Sequence, residues 1–263
     1  MWIVTEVYGL KSKLGNQVMV EVNGRNIKVK NISKRTREKE PIMKMGNESE
    51  INIQDGKIPE LEKTDFSASS FDNEVYKLFF NYTDYTDYIE LVDEATRRKK
   101  MAILDVFNET MQIGDPRLDL LSNEYFRLSQ ENKYLSFFER VFEINDGEAY
   151  IDWGSEDDKS KITKIMERQC EGLDKIDRLI LENQVDILNN GNDYIYKIKN
   201  INLLRVFIKG FLREKIWSSL YFNSHPMILV SGYDLSLPII IDNDKDKKLY
   251  EKIANENNLF LRV

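Results

Sequence analysis

The 263-residue chain holds one cysteine, Cys170, and one histidine, His225. A disulfide within the chain is therefore excluded, as are a zinc site built mainly from Cys and His and any centre that needs two histidines. The twelve glycines are scattered singly: no Gly-x-Gly occurs, and there is no Gly-x-x-x-x-Gly-Lys-Ser/Thr run. Phosphate-cradling loops of both common kinds need clustered glycines whose backbone N–H groups reach the phosphate, so neither fingerprint is present. Gly-x-Ser-x-Gly, the sharp turn that exposes a serine nucleophile, is missing too. The longest uncharged stretch, Ile216 to Tyr233, has Asn223-Ser224-His225-Pro226 near its middle. That reads as a break between two buried elements rather than a membrane span. The first residues do not combine a basic start, an apolar run and a small-residue cleavage site, and a lone thiol suits a reducing compartment. The expectation is a soluble, cytoplasmic protein without membrane contact.

What is present is an ordinary globular composition, 41% hydrophobic and 32% charged, which argues against global disorder. The net charge of −7 is unevenly placed: residues 1–44 hold ten basic and four acidic side chains, and the remainder is correspondingly acidic. The first thirty residues are rich in β-formers, with Gln17 to Val22 and Asn26 to Ile32 alternating around Asn23-Gly24, a strong hairpin signal. From Ser33 to about Ser70 the pattern dissolves into a basic and then polar stretch of loop character, with a short strand at Glu50 to Ile53.

Helical periodicity takes over near Ser70, and Val92 to Asn108 reads as helix or mixed structure. Leu118 to Phe138 reads as helix, Val141 to Trp153 as a hairpin turning at Asn145-Asp146-Gly147, and Ser160 to Leu188 as one or two amphipathic helices. Cys170 falls inside that helical pattern as a packed thiol. Further on, the pattern predicts a strand at Tyr194 to Ile198 and a helix at Leu203 to Leu220. Strands at Met227 to Val230 and Leu237 to Ile241, a helix at Asp246 to Asn257 and a strand at Leu259 to Val263 complete the chain. The order β, β, α, β at the end suits a mixed or parallel sheet edge. The fold class is α+β or mixed α/β: a small β-rich module with a basic arm over 1–60, then a larger helical and sheet domain over 61–263.

Three groups of residues could carry function. The first is the basic run Arg25, Lys28, Lys30, Lys34, Arg35, Arg37 and Lys39, dense enough to grip a phosphate backbone. Tyr82, Tyr85 and Tyr88, with Trp2 and Tyr8, could add stacking surfaces. The second is carboxylates. Asp146, Glu148 and Asp152 lie on or near the predicted hairpin, and Asp157-Asp158 suit a helix cap. Asp242, Asp244 and Asp246 have the alternate spacing of a calcium loop, yet Lys247 and Ile253 occupy its sixth and twelfth positions, where Gly and Glu are needed. A divalent metal held at Asp242 and Asp244, or a catalytic set of Asp146, Glu148, Asp152 and His225, would make a nuclease or phosphodiesterase that requires Mg2+ or a similar ion. The third is His225 itself, which a hydrolytic reading would join to Ser231 or Ser224 and to Asp234. Without standard catalytic motifs, the sequence favours a cofactor-free binding protein that contacts nucleic acid or a protein partner. The alternatives are the metal-dependent nuclease and a structural assembly protein.

Overall fold

The structure, a computed structural model, describes residues 7–8, 13–14, 17–22, 25–30, 57–64, 95–152, 168–190 and 195–262, with backbone alone for those before 57 and for 189–190. The expected strand at Glu50 to Ile53, the helix near Ser70, the Tyr82 to Tyr88 stripe, Trp2, Trp153 and Asp157-Asp158 lie outside these residues. The chain is α+β and separates into two compact units, Met1–Asn52 and Ile53–Val263.

The smaller unit is an antiparallel sheet. Strands β3 (Gln17–Val22) and β4 (Arg25–Lys30) pair along their whole length, from Gln17↔Lys30 to Val22↔Arg25. Only Asn23 and Gly24 separate the paired ends, the residue pair that a tight hairpin favours. The other edge of β3 is taken by β1 (Val7–Tyr8) at one end and β2 (Lys13–Leu14) at the other.

The larger unit is built on an eight-stranded sheet in the order β12-β6-β11-β10-β9-β7-β8-β5, with every neighbouring pair antiparallel. Its strands are β5 (Glu62–Lys63), β6 (Met101–Asp105), β7 (Ala149–Asp152), β8 (Ile195–Ile198), β9 (Ser219–Phe222), β10 (Met227–Val230), β11 (Leu237–Ile241) and β12 (Phe260–Arg262). Its helices are α1 (Leu118–Leu121), α2 (Glu124–Ile144), α3 (Lys175–Glu182), α4 (Val185–Asn190), α5 (Ile201–Leu212) and α6 (Asp244–Glu256). The expected parallel edge has a specific form here. β11 and β12 both run antiparallel to β6, so they are parallel to each other with α6 as the crossover and β6 inserted between them. β8 and β9 stand in the same relation about β7, with α5 as the crossover. The fold thus contains two split β-α-β units.

Both sheet faces are buried, which explains why β10 and β11 read as continuous apolar runs. One face carries Ile151, Leu220, Leu229 and Ile239 in a cross-strand row, and Phe138 of α2 stacks on Phe222 of that face. The opposite face carries Tyr150, Tyr221, Ile228, Val230 and Ile240, packed with Ala95.

Two helix ends differ from expectation. α2 continues to Ile144, where a hairpin arm was expected. The Gly147 N–H closes back on the Phe142 carbonyl with Asp146 at φ 61°, so Asn145-Asp146-Gly147 ends a helix rather than turning a hairpin. α5 stops at Leu212, eight residues short of the expected Leu220. Glu214 turns left-handed at φ 56°, and the Lys215 N–H returns to the Gly210 carbonyl. Ile216 then packs directly over Gly210, the one place along α5 where the missing side chain leaves room for it. Val92 to Asn108, read as helix or mixed structure, is mixed where described: helical at 95–97, then β6 in its middle.

Candidate functional site

The basic run divides at the limit of the described residues. Arg25, Lys28 and Lys30 lie on β4, opposite Val22, Met19 and Gln17, while Lys34, Arg35, Arg37 and Lys39 lie outside them. Strand alternation places Lys28 and Lys30 on one face and Arg25 on the other. Because β3 and β4 pair throughout, and β1 and β2 pair with β3 alone, β4 is an edge among the described strands. An edge lysine keeps foreign strands from adding to a sheet and is also placed to meet a polyanion.

The acids are dispersed into separate contacts. Glu148 pairs with Lys197 at 3.1 Å and accepts from the Tyr150 hydroxyl at 3.3 Å. Asp146 accepts from Ser224. Asp152 sits on β7 between Ile195 and Ser219. Asp242 is ion-paired to Lys100, and Asp244 opens α6. Among the described residues no three His, Cys, Asp or Glu side chains stand together as a metal would require.

His225 does find a carboxylate, but it is Asp246 rather than Asp234. Its Nδ1 lies 2.8 Å from Asp246 Oδ1. A carboxylate oxygen accepts, so Nδ1 is the donor in this contact. Asp246 is fixed in turn by the Asn243 amide at 2.6 Å, and the His225 N–H donates to Asn145 Oδ1 at 2.8 Å. The Tyr250 hydroxyl donates to the His225 carbonyl, and burial pushes its pKa up. The cluster ties the β9–β10 turn to the end of α2 and the start of α6. Ser231, the other expected partner, instead accepts from the Ser218 N–H at 3.2 Å.

A second charged network is buried between α3 and α5. Lys209 pairs with Asp177 and lies 3.5 Å from Asp174; its side chain is 8% exposed and that of Asp177 is 7% exposed. Burial pushes the Asp177 carboxyl up to about 6, against the pull of Lys209. Asp174 shifts the other way. Burial opposes the change, but the Asp177 N–H and the Lys209 ammonium hold its carboxyl below the usual range. One turn on, Arg213 grips Glu131 with two bonds of 2.8 Å and the Gly172 carbonyl with a third of 2.7 Å.

Sequence reasoning missed an exposed aromatic pair of the larger unit. Trp217 and Tyr233 are 47% and 63% exposed, and their rings meet at 4.6 Å with a 51° tilt. They project from two segments stitched together directly behind them: the Ser231 N–H donates to the Ser218 carbonyl, and Ser218 donates back to the Ser231 hydroxyl. The β10–β11 turn places both Asp234 and Leu235 at positive φ, 53° and 64°, a conformation that normally selects Asn and Gly. Leu235 is held there by burial and by the Tyr134 hydroxyl on its carbonyl. Gly232 leaves no room for a side chain against the Ser236 carbonyl. The Asp234 N–H donates to Glu214 Oε1, itself ion-paired to Arg127 at 2.6 Å. The only sequence signal was Gly232 between two apolar strands. Asp-Leu is not a turn pair that sequence rules recognise.

Comparison with family models, curated proteins and solved structures finds no match to this chain.

Proposed function

We propose that the chain is a binding protein that contacts nucleic acid through its basic N-terminal unit, inside the cell. The observation that supports this is the coincidence of charge and structure. Residues 1–52 hold ten basic and six acidic side chains, while residues 53–263 hold 28 and 39, and the chain divides into compact units between Asn52 and Ile53, shortly after the basic run ends at Lys44. A solvated loop balancing an acidic body would not need a folded platform, whereas Arg25, Lys28 and Lys30 lie on β4, which among the described strands pairs with β3 alone. A cytoplasmic setting accords with the single thiol, Cys170, which is buried and pushed up to about 11 by that burial. No helix among the described residues is long and apolar enough to cross a membrane. The carboxylate and metal reading has less support, because Glu148 and Asp242 are each already paired to a lysine.

Binding to labelled duplex and single-stranded DNA and RNA across a salt series tests the proposal. Affinity should fall steeply with salt, and each phosphate-contacting lysine or arginine removed should lower the slope of log K against log salt by about 1. Replacing Lys28 and Lys30 with Gln, then Lys34, Arg35 and Arg37 as well, should reduce the slope stepwise. Salt-insensitive binding, or a slope unmoved by all five replacements, refutes it.

A further inference from the structure

We propose that Trp217, Tyr233 and Asp234 form a docking site for an arginine side chain presented by a protein partner, independent of the basic unit. Three observations converge on it. Two aromatic rings are exposed and preformed, in contact with each other at 4.6 Å. Asp234, which follows Tyr233 in the chain, is exposed, and its carboxylate has no ion-pair or hydrogen-bond partner among the described residues. Three non-glycine residues in the left-handed region, Glu214, Asp234 and Leu235, meet at this one place and are linked by the bond from the Asp234 N–H to Glu214. Strain of this kind persists only where the surroundings over-determine it, and it gathers at sites that must be held ready.

The chemistry selects the occupant. A guanidinium is flat, stacks on Trp and Tyr faces, and offers a fork of donors to a carboxylate. The cations already present on these segments are engaged elsewhere: Arg213 by Glu131 and Lys215 by Glu171 at 3.7 Å. The unit that carries the site is acidic, which favours a basic partner. Rigid Trp and Tyr anchors are also the side chains that dominate protein–protein hot spots.

The full chain, labelled at the indole nitrogens, is titrated by NMR with the capped tripeptide Gly-Arg-Gly, with its citrulline counterpart, and with adenosine monophosphate. The Trp217 indole signal is assigned by Trp217→Phe, which separates it from Trp2 and Trp153. The arginine peptide should move that signal saturably, with citrulline binding about tenfold more weakly. Asp234→Asn, which tolerates the same backbone conformation, should weaken the arginine peptide by a similar factor without altering the far-UV spectrum. No saturable shift up to about 50 mM peptide, a range that covers even very weak single-residue binding, overturns the proposal. Equal response to citrulline also overturns it. A response to the nucleotide alone overturns it in favour of base stacking.

Discussion

At the residue scale, three helices close in the same way and show what each end residue does. α2, α5 and α6 each end with a left-handed residue, Asp146, Glu214 and Asn258, followed by an N–H that returns five residues to a carbonyl: Gly147 to Phe142, Lys215 to Gly210 and Leu259 to Ala254. Asp and Asn tolerate that conformation. Glu does not share the preference, and Glu214 is also the one whose carboxylate holds both Arg127 and the Asp234 N–H. Its place in the turn is thus explained by what it carries to the neighbouring segment. Gly210 is the other decisive residue there. A methyl group on it would run into the Ile216 side chain, whose Cβ would stand 3.1 Å away, and Ile216 is buried. Gly210→Ala should lower stability by about 1–3 kcal/mol, although alanine is the better helix former. Ile216→Ala alone should cost about 2–5 kcal/mol. The double variant should be less destabilised than the sum by about 1 kcal/mol or more, read from urea unfolding as a double-mutant cycle. Strict additivity would mean that the two side-chain positions do not compete for one space.

At the scale of elements, the Lys209–Asp177 pair fixes α5 to α3. Burial raises the Asp177 carboxyl in the folded state to about 6, above the ordinary aspartate value of about 3.8. The folded protein therefore binds more protons than the unfolded chain between those values, and this group's contribution to stability falls as pH rises through that window. Asp174, shifted down, acts in the opposite direction. Lys209→Met removes the cation that draws Asp177 toward ionisation and leaves a buried carboxylate, on which Arg213, the residue after α5, still acts electrostatically. The loss should be about 3–5 kcal/mol at pH 7.5 and clearly smaller at pH 5, where Asp177 takes up a proton. Urea midpoints of both proteins at the two pH values measure this, and a penalty independent of pH would contradict it.

The same scale shows how far the elements were legible in the sequence. β8, β10, β11, α6 and β12 were found within a few residues, because their apolar runs or periodicity are uninterrupted and their ends carry polar caps such as Asn243. α2 and α5 were misjudged at their ends for a shared reason. Asn-Asp-Gly signals positive φ, and a hairpin turn and a helix terminus both use it. What stops α5 is the fit of Ile216 over Gly210 and the grip of Glu214, contacts that no periodicity contains. β6 could be read only as part of a mixed stretch because its partners, β11 and β12, lie more than a hundred residues away. The candidate sites were legible to a similar degree. His225 and Asp246 were both visible as residues, yet their pairing depends on α6 returning to the β9–β10 turn. Trp217 and Tyr233 lie in a stretch that read as buried, and both sit outside its strands, Trp217 between α5 and β9 and Tyr233 in the β10–β11 turn.

For the whole molecule, the decisive feature is the agreement between charge and the boundary at Asn52 and Ile53. All eight strands of the large sheet and all six named helices lie beyond that boundary, and so do the Leu61 N–H bond to Gln184 Oε1 at 2.8 Å and the pairing of β5 with β8. These contacts lie within the larger unit. A chain of residues 53–263 should keep its far-UV spectrum and unfold cooperatively at a urea midpoint close to that of the same transition in the full chain. It should lose the salt-dependent binding of nucleic acid while retaining the response of the Trp217 indole to the arginine peptide. The two readouts separate the two proposed surfaces, because one depends on the basic unit and the other on the strained turn of the acidic one. Nucleic-acid binding that survives the truncation would move the interface onto a unit whose net charge opposes a polyanion. It would then require a local cluster of cations there, such as that around Arg97 to Lys100.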